Sequence, residues 1–414
     1  MYQQTTLQNG LRIVTEEIPS VKSVTIGIWI GTGSRAENEE NLGVSHFLEH
    51  LLFKGTKSRS AKQIAEAVDS VGGQLNAFTA KEYTCYYIKV IDRHYDLALD
   101  ILSDMVLHPK FSPEDLEKER EVVLEEIHMN EDTPDELIHD LFMETVWPAH
   151  ALGRSILGTA EAIGGMHMGL IKAFYEKHYV PANMVVACAG NIKHEQLLDL
   201  AAKYLGNAAG GLSRDRLITP QFNSTVLLKP RDTEQTHICI GVRGLPSYDE
   251  QAYALNVLNT VLGGGLSSRL FQSIREERGL AYAVYSYLNS YQDAGLITIY
   301  AGTRPANAQQ VITLVQAEIK KISAEGITPA ELSRAKEYII GNLLLGLENT
   351  SGRMMRLGKL ALAKRDILSI EEVINKVRLV SIEDVLRLSH ALFRLDSICI
   401  TALGSGENTQ EIFL

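Results

Sequence analysis

The chain repeats itself. Residues 111–127, FSPEDLEKEREVVLEEI, align without a gap on residues 327–343, ITPAELSRAKEYIIGNL, and each stretch opens on Ser-Pro or Thr-Pro, residues that start helices. IGIWIG (26–31) matches IGVRG (240–244), and GVSHFLEHLLFKG (43–55) lies over YALNVLNTVLGGG (253–265), with a short gap between these two pairings. Chance similarity of two amphipathic helices does not explain three segments recurring in one order. The 414 residues are therefore read as two copies of one domain.

Each copy mixes strands and helices. The β-rich runs are SVTIGIWI (23–30), TCYYIKVI (84–91), NMVVACAG (183–190), HICIGV (237–242), LITIYAG (296–302) and SICITALG (397–404), with longer amphipathic stretches between them. YLGNAAGGLSRDRLITP (204–220) has no periodicity and ends on proline, which marks a linker near the middle. The expected division is a first domain over 1–207, a linker over 208–220 and a second domain over 221–414.

Composition removes several classes of function. No apolar run approaches the roughly 20 residues that a membrane-spanning helix needs. MYQQTTLQNGLRIV has neither the basic start nor the apolar stretch of a secretory signal, so the cytoplasm is the expected location and no membrane span is expected. Cys85, Cys188, Cys239 and Cys399 lie far apart in strand-like runs without CxxC spacing, which predicts buried thiols rather than disulfides or a thiolate metal site. The net charge of -11, from 51 acidic and 40 basic residues, and the lack of a basic cluster interleaved with aromatics argue against a nucleic-acid partner.

The duplication also separates scaffold from chemistry. Under the pairings above His46 falls on Asn256, Glu49 on Asn259, His50 on Thr260 and Glu126 on Asn342, while apolar positions between them stay apolar. A requirement of the fold should appear in both copies, so the titratable set of the first copy points to function. On a helix His46 and His50 project within about 40° of each other, with Glu49 on the adjoining flank. Neutral imidazoles at that spacing suit zinc, and H-x-x-E-H is the inverted order of a metalloprotease motif. A catalytic zinc takes three protein ligands, so a third must come from elsewhere. The helix expected over 113–132 offers Glu126, 76 positions after His50, and Glu119 one heptad earlier on the same side, with Val122 and Val123 marking that side as partly buried. The residues alone leave Glu125 and Glu126 both open as the third ligand.

HFLEH followed at that distance by the glutamate ending EREVVLEE resembles the pitrilysin and insulin-degrading-enzyme family, most closely its short two-domain members, and the resemblance runs from LQNGLRIV to the final strand. It implies that His46, His50 and Glu126 are zinc ligands, one zinc per chain, that Glu49 is the catalytic base and that Glu119 is a second glutamate near the metal. GGQLNAFTAKEYTCYY (72–87) is similar to the family's edge strand, which implies that Asn76 and Ala77 meet the substrate backbone. SIREERGLAYAVYS (273–286) is similar to the segment whose Arg and Tyr contact peptide, implying Arg275 and Tyr282. From the residues alone, Arg275 fits a surface ion pair and Tyr282 a core position equally well. LGGGLSSRLF (262–271) lacks the lysine of a phosphate-binding loop and reads as a turn or flexible loop.

The fold implied is α+β: two homologous domains, each a mixed, mostly antiparallel sheet packed with helices, together forming half of a clamshell. The function implied is a zinc metalloendopeptidase acting on extended or unstructured peptides inside a dimeric chamber, with a Glu49-activated water as nucleophile. The partner is expected to be a second copy or a homologous inactive chain, from which Arg275 and Tyr282 could act in trans. Two alternatives are a non-catalytic core or assembly subunit of the same fold, and an iron oxygenase built on two His and a carboxylate, which leaves Glu49 without a role.

Overall fold

The computed structural model of the chain describes residues 2–211 and 217–405. Residues 212–216 of the expected linker lie outside the described residues, and 208–211 and 217–220 carry neither helix nor strand. The first sheet contains β1 (Tyr2–Thr6), β2 (Arg12–Glu17), β3 (Ser23–Ile30), β4 (Gln74–Thr79), β5 (Thr84–Ile91) and β6 (Met184–Gly190), in the order β1-β2-β6-β3-β5-β4. All its pairings are antiparallel except β2 with β6. The second sheet contains β7 (Val226–Pro230), β8 (Thr236–Arg243), β9 (Ala281–Ser290), β10 (Gly295–Thr303) and β11 (Cys399–Gly404), in the order β7-β11-β8-β10-β9, with only β7 and β11 parallel.

Strand β3 shows why its sequence reads as an almost unbroken apolar run: both faces are covered. Val24, Ile26, Ile28 and Ile30 point to one side, into a core with the helices Val44–Leu52 and Tyr95–Leu107. Trp29 points to the other, where it meets Val185, Ala187 and the helix Thr350–Leu362 through Met354 and Leu357. In the second sheet Ile238, Ile240 and Val242 of β8 join one core, and Cys239 joins another with Ile138 and Phe142 from the helix Pro134–Val146. The four cysteines are buried free thiols. No described helix is long and apolar enough to cross a membrane.

The two units are not cut where the chain is cut. Described residues of 2–128, 155–211 and 344–367 cluster as one unit, and those of 129–154, 217–343 and 368–405 as the other. This differs from the expected 1–207 and 221–414 in two segments. Continuing the alignment of 111–127 on 327–343 puts Pro134–Val146 on Thr350–Leu362. The first of these helices covers the second sheet and the other covers the first, so each repeat gives one helix to its neighbour's sheet. Both helices are amphipathic in the ordinary way, and their local sequence carries no sign of which sheet they cover.

The exchanged helices rest on glycine contacts. A Cβ on Gly358 would lie 2.1 Å from Nε1 of the buried Trp29, and one on Gly241 would lie 2.2 Å from the Phe142 ring. In an open helix, Gly to Ala stabilises by about 1 kcal/mol. At this crossing the sign reverses, because Trp29 has no exposed surface and no room to retreat. Gly358→Ala is expected to cost about 1–3 kcal/mol in denaturant unfolding; a gain in stability would show that the helix does not pack here.

Candidate metal centre

The helix Val44–Leu52 buries Val44, Phe47, Leu48, Leu51 and Leu52 against the first core, which turns His46, Glu49 and His50 to its other side. Its start is held by a residue far back in the loop. Glu37 accepts hydrogen bonds from the backbone N–H of Gly43 at 2.7 Å and of Ser45 at 2.8 Å, satisfying donors that an α-helix leaves open at its first turn. Burial raises the Glu37 carboxyl to about 7, against the opposing pull of those hydrogen bonds. Gly43 has φ +83°, and a Cβ there would lie 2.6 Å from the Leu157 carbonyl oxygen, so glycine is required at the helix entry.

The second contributor is the helix Pro113–Asp132, anchored through Leu116, Val123 and Ile127. Arg120 ties it to the segment beyond, donating to the carbonyl oxygens of Gly164 at 2.9 Å and Met166 at 2.8 Å. Glu119 is 3% exposed, whereas Val122, expected to be partly buried, is 42% exposed; Val123 alone of that pair enters the core. Val122 sits on the margin of the face that carries the two glutamates, where the helix opens to solvent. Glu125 is exposed, and Glu126 is the one that turns toward the histidines.

His46, His50 and Glu126 each offer one ligand atom, and the three atoms lie within 4.8 Å of one another. His46 Nε2 is 3.5 Å from Glu126 Oε2, and His50 Nε2 is 3.6 Å from Glu126 Oε1. These separations exceed a hydrogen bond. They run to different oxygens of Glu126, so the one carboxylate faces both rings. The two rings lie 4.6 Å apart, centroid to centroid. Burial, with His50 beside it, pulls the His46 imidazole down to about 4, so its approach to Glu126 is not an ion pair and its nitrogen lone pair is available. The donor set of two imidazoles and a carboxylate fits zinc.

Behind the ligands, His50 Nδ1 is 3.1 Å from Glu119 Oε2. A carboxylate accepts there, so Nδ1 is the donor, and Nε2 is the nitrogen turned to Glu126. Glu49 lies beside the cluster, outside the ligand set, and Thr79 at the end of β4 donates its hydroxyl to Glu49 Oε2 at 2.5 Å. Burial raises the Glu49 carboxyl above its ordinary range, and the Thr79 hydrogen bond opposes that shift.

The remaining expected residues fall into two places. Asn76 and Ala77 are on β4, which among the described residues pairs with β5 alone and forms one edge of its sheet. Asn76 Oδ1 accepts from the Ala77 N–H at 2.8 Å, so that backbone donor is satisfied locally. In the second unit Arg275 stands 5.1 Å from the Tyr282 ring and 4.8 Å from that of Phe271. Tyr282 is 79% exposed, which removes the core alternative. The second copy's counterparts to the ligands turn back on their own backbone: Asn256 donates to Ala252 O at 2.8 Å, Thr260 to Asn256 O at 2.8 Å and Asn342 to Tyr338 O at 3.0 Å. Glu37, Thr79 and Lys54, which lies 2.6 Å from Glu119 Oε1, were not singled out from the sequence. Glu37 had a weak signal, an acidic residue ahead of a helix start, but Glu39 and Glu40 share it.

Comparison with known proteins gives the family of the chain. The profile of Insulinase (Peptidase family M16) matches residues 12–160, and that of the Peptidase M16 inactive domain matches 169–339. An uncharacterized zinc protease of Bacillus subtilis is 45% identical over 396 residues, covering 96% of this chain and 97% of its own length. One of Streptomyces coelicolor is 44% identical over 396 residues, covering 92% of this chain and 85% of its own. The crystal structure of a protease from Helicobacter pylori superposes with a TM-score of 0.91 at 22% identity, covering 97% of this chain and 99% of that one, a likeness of fold. With its duplicated α+β architecture and these relatives spanning almost its whole length, the chain belongs to the insulinase family, peptidase family M16.

Proposed function

We propose that this chain is a zinc metalloendopeptidase that hydrolyses extended or unstructured peptides, with one zinc held by His46, His50 and Glu126. The observation that carries the reading is the meeting of those three ligand atoms beside a separate carboxylate, Glu49, which shares the helix of the two histidines. Zinc, when bound, supplies a Lewis acid that polarises a carbonyl and acidifies water. Glu49 accepts the proton of the attacking water and passes it to the leaving amine. Thr79 holds Oε2 of that carboxylate and so leaves Oε1 to carry the proton.

The edge strand supports a peptide substrate. An extended chain added beside β4 takes main-chain hydrogen bonds from a strand with no second neighbour among the described residues, and Ala77 N–H joins them once the Asn76 side chain yields. Folded proteins do not present such a strand and are poor substrates. The first repeat is the catalytic one, and Arg275 and Tyr282 of the second repeat contact bound peptide. The functional form is a dimer with a second copy or a related inactive chain; this rests on the resemblance to short family members. A purely structural assembly subunit has no use for a complete ligand set with a base beside it, and an iron oxygenase has none for Glu49.

Digestion of an unstructured peptide library, read by mass spectrometry, tests the reading. Cleavage is expected, with loss on chelation and return on adding zinc. Absence of chelator-sensitive cleavage at full zinc loading would favour the assembly subunit.

A further inference from the structure

We propose that Lys54 is a positioning residue for the metal, acting through Glu119 on the ring of His50. The inference deepens the zinc reading above and rests on it. Lys54 follows the helix Val44–Leu52 by two residues, so the helix that places His50 also places its ammonium. Its Nζ lies 2.6 Å from Glu119 Oε1, and the other oxygen of the same carboxylate lies 3.1 Å from His50 Nδ1. One short chain of contacts therefore runs from Lys54 through Glu119 to a ligand.

Three further observations give this chain its weight. Glu119 is 3% exposed and comes from a different helix, where a carboxylate needs a counter-charge and a donor for each oxygen. Lys54 supplies the charge and one donor. Secondly, Nδ1 of His46 is buried without a hydrogen-bond partner among the described residues, so of the two imidazoles only His50 is held from behind there. Thirdly, the pairing of the repeats puts Gly264 at the position of Lys54 and the buried Ala335 at that of Glu119. The second copy thus drops this pair together with the ligands and keeps the helices. A pair needed for packing would have stayed.

Without Lys54 the Glu119 carboxylate loses the bond that fixes its rotation, and His50 loses its fixed ring orientation. The opposite expectation also exists: an ammonium near a divalent cation repels it, so removing Lys54 could tighten binding. The two effects predict opposite signs. Zinc affinity of the metal-stripped full-length chain, measured by competition with a chromophoric chelator at one pH and salt concentration, distinguishes them. Lys54→Met is expected to weaken zinc binding about 10–100-fold, the usual cost of an outer-shell change. Lys54→Arg, which keeps charge and donors, is expected to recover most of that loss. Adding Lys54→Met to Glu119→Gln is expected to cost little more than Glu119→Gln alone, because the two act in one chain. Unchanged or tighter zinc binding by Lys54→Met overturns the proposal, as do additive losses in the double variant. A parent chain that takes up no zinc overturns it together with the metal reading, whereas a zinc-binding parent matched by Lys54→Met overturns the relay alone.

Discussion

Glu49→Gln is expected to keep zinc and to lose turnover by about 10²–10⁴-fold, the usual contribution of a positioned acid–base group. The substitution preserves shape, and the Thr79 hydroxyl still finds an oxygen to bind. What is lost is the ability to take a proton from water and return it to the leaving amine. The ligand set is untouched, since Glu49 lies outside the group formed by His46, His50 and Glu126. Metal content and steady-state kinetics on one preparation separate the two roles. Turnover within tenfold of the parent by a fully zinc-loaded variant would remove Glu49 from the mechanism.

His50→Ala is expected to have the opposite signature, with metal and activity lost together. It removes one of the three proposed ligand atoms, so the loss in zinc affinity is expected to exceed the roughly 10–100-fold of an outer-shell change. It also takes one partner from the buried Glu119, which keeps Lys54. Stability of the metal-free chain is therefore expected to fall as well. Equilibrium dialysis against zinc, with unfolding of the metal-free protein, checks both. Stoichiometric zinc in this variant would contradict the ligand assignment.

The helical face of the site is legible because it depends on local geometry. The spacing of His46, Glu49 and His50 against Val44, Phe47, Leu48 and Leu51 has one helical solution, and the structure has that helix. Strands β3 and β5 fall on the runs 23–30 and 84–91 for the same reason. The third ligand is different. Glu125 and Glu126 are neighbours about 100° apart on one helix, and only the angle at which that helix meets the first decides between them. The contacts of Lys54, Thr79 and Glu37 are likewise tertiary, joining residues from separate elements. Helix exchange between the repeats is the clearest case. The alignment that reveals the duplication contains both exchanged helices, yet nothing in their own residues says whether Phe142 or Gly358 meets its own sheet or the other.

The proposed chemistry needs one ion in one place. Crystals of the zinc-soaked chain, measured on both sides of the zinc absorption edge, locate it without reference to activity. The expected result is a single strong anomalous peak at bonding distance, roughly 2.0–2.2 Å, from His46 Nε2, His50 Nε2 and a Glu126 oxygen. A map with no peak among these three residues, or with the zinc elsewhere on the chain, contradicts it.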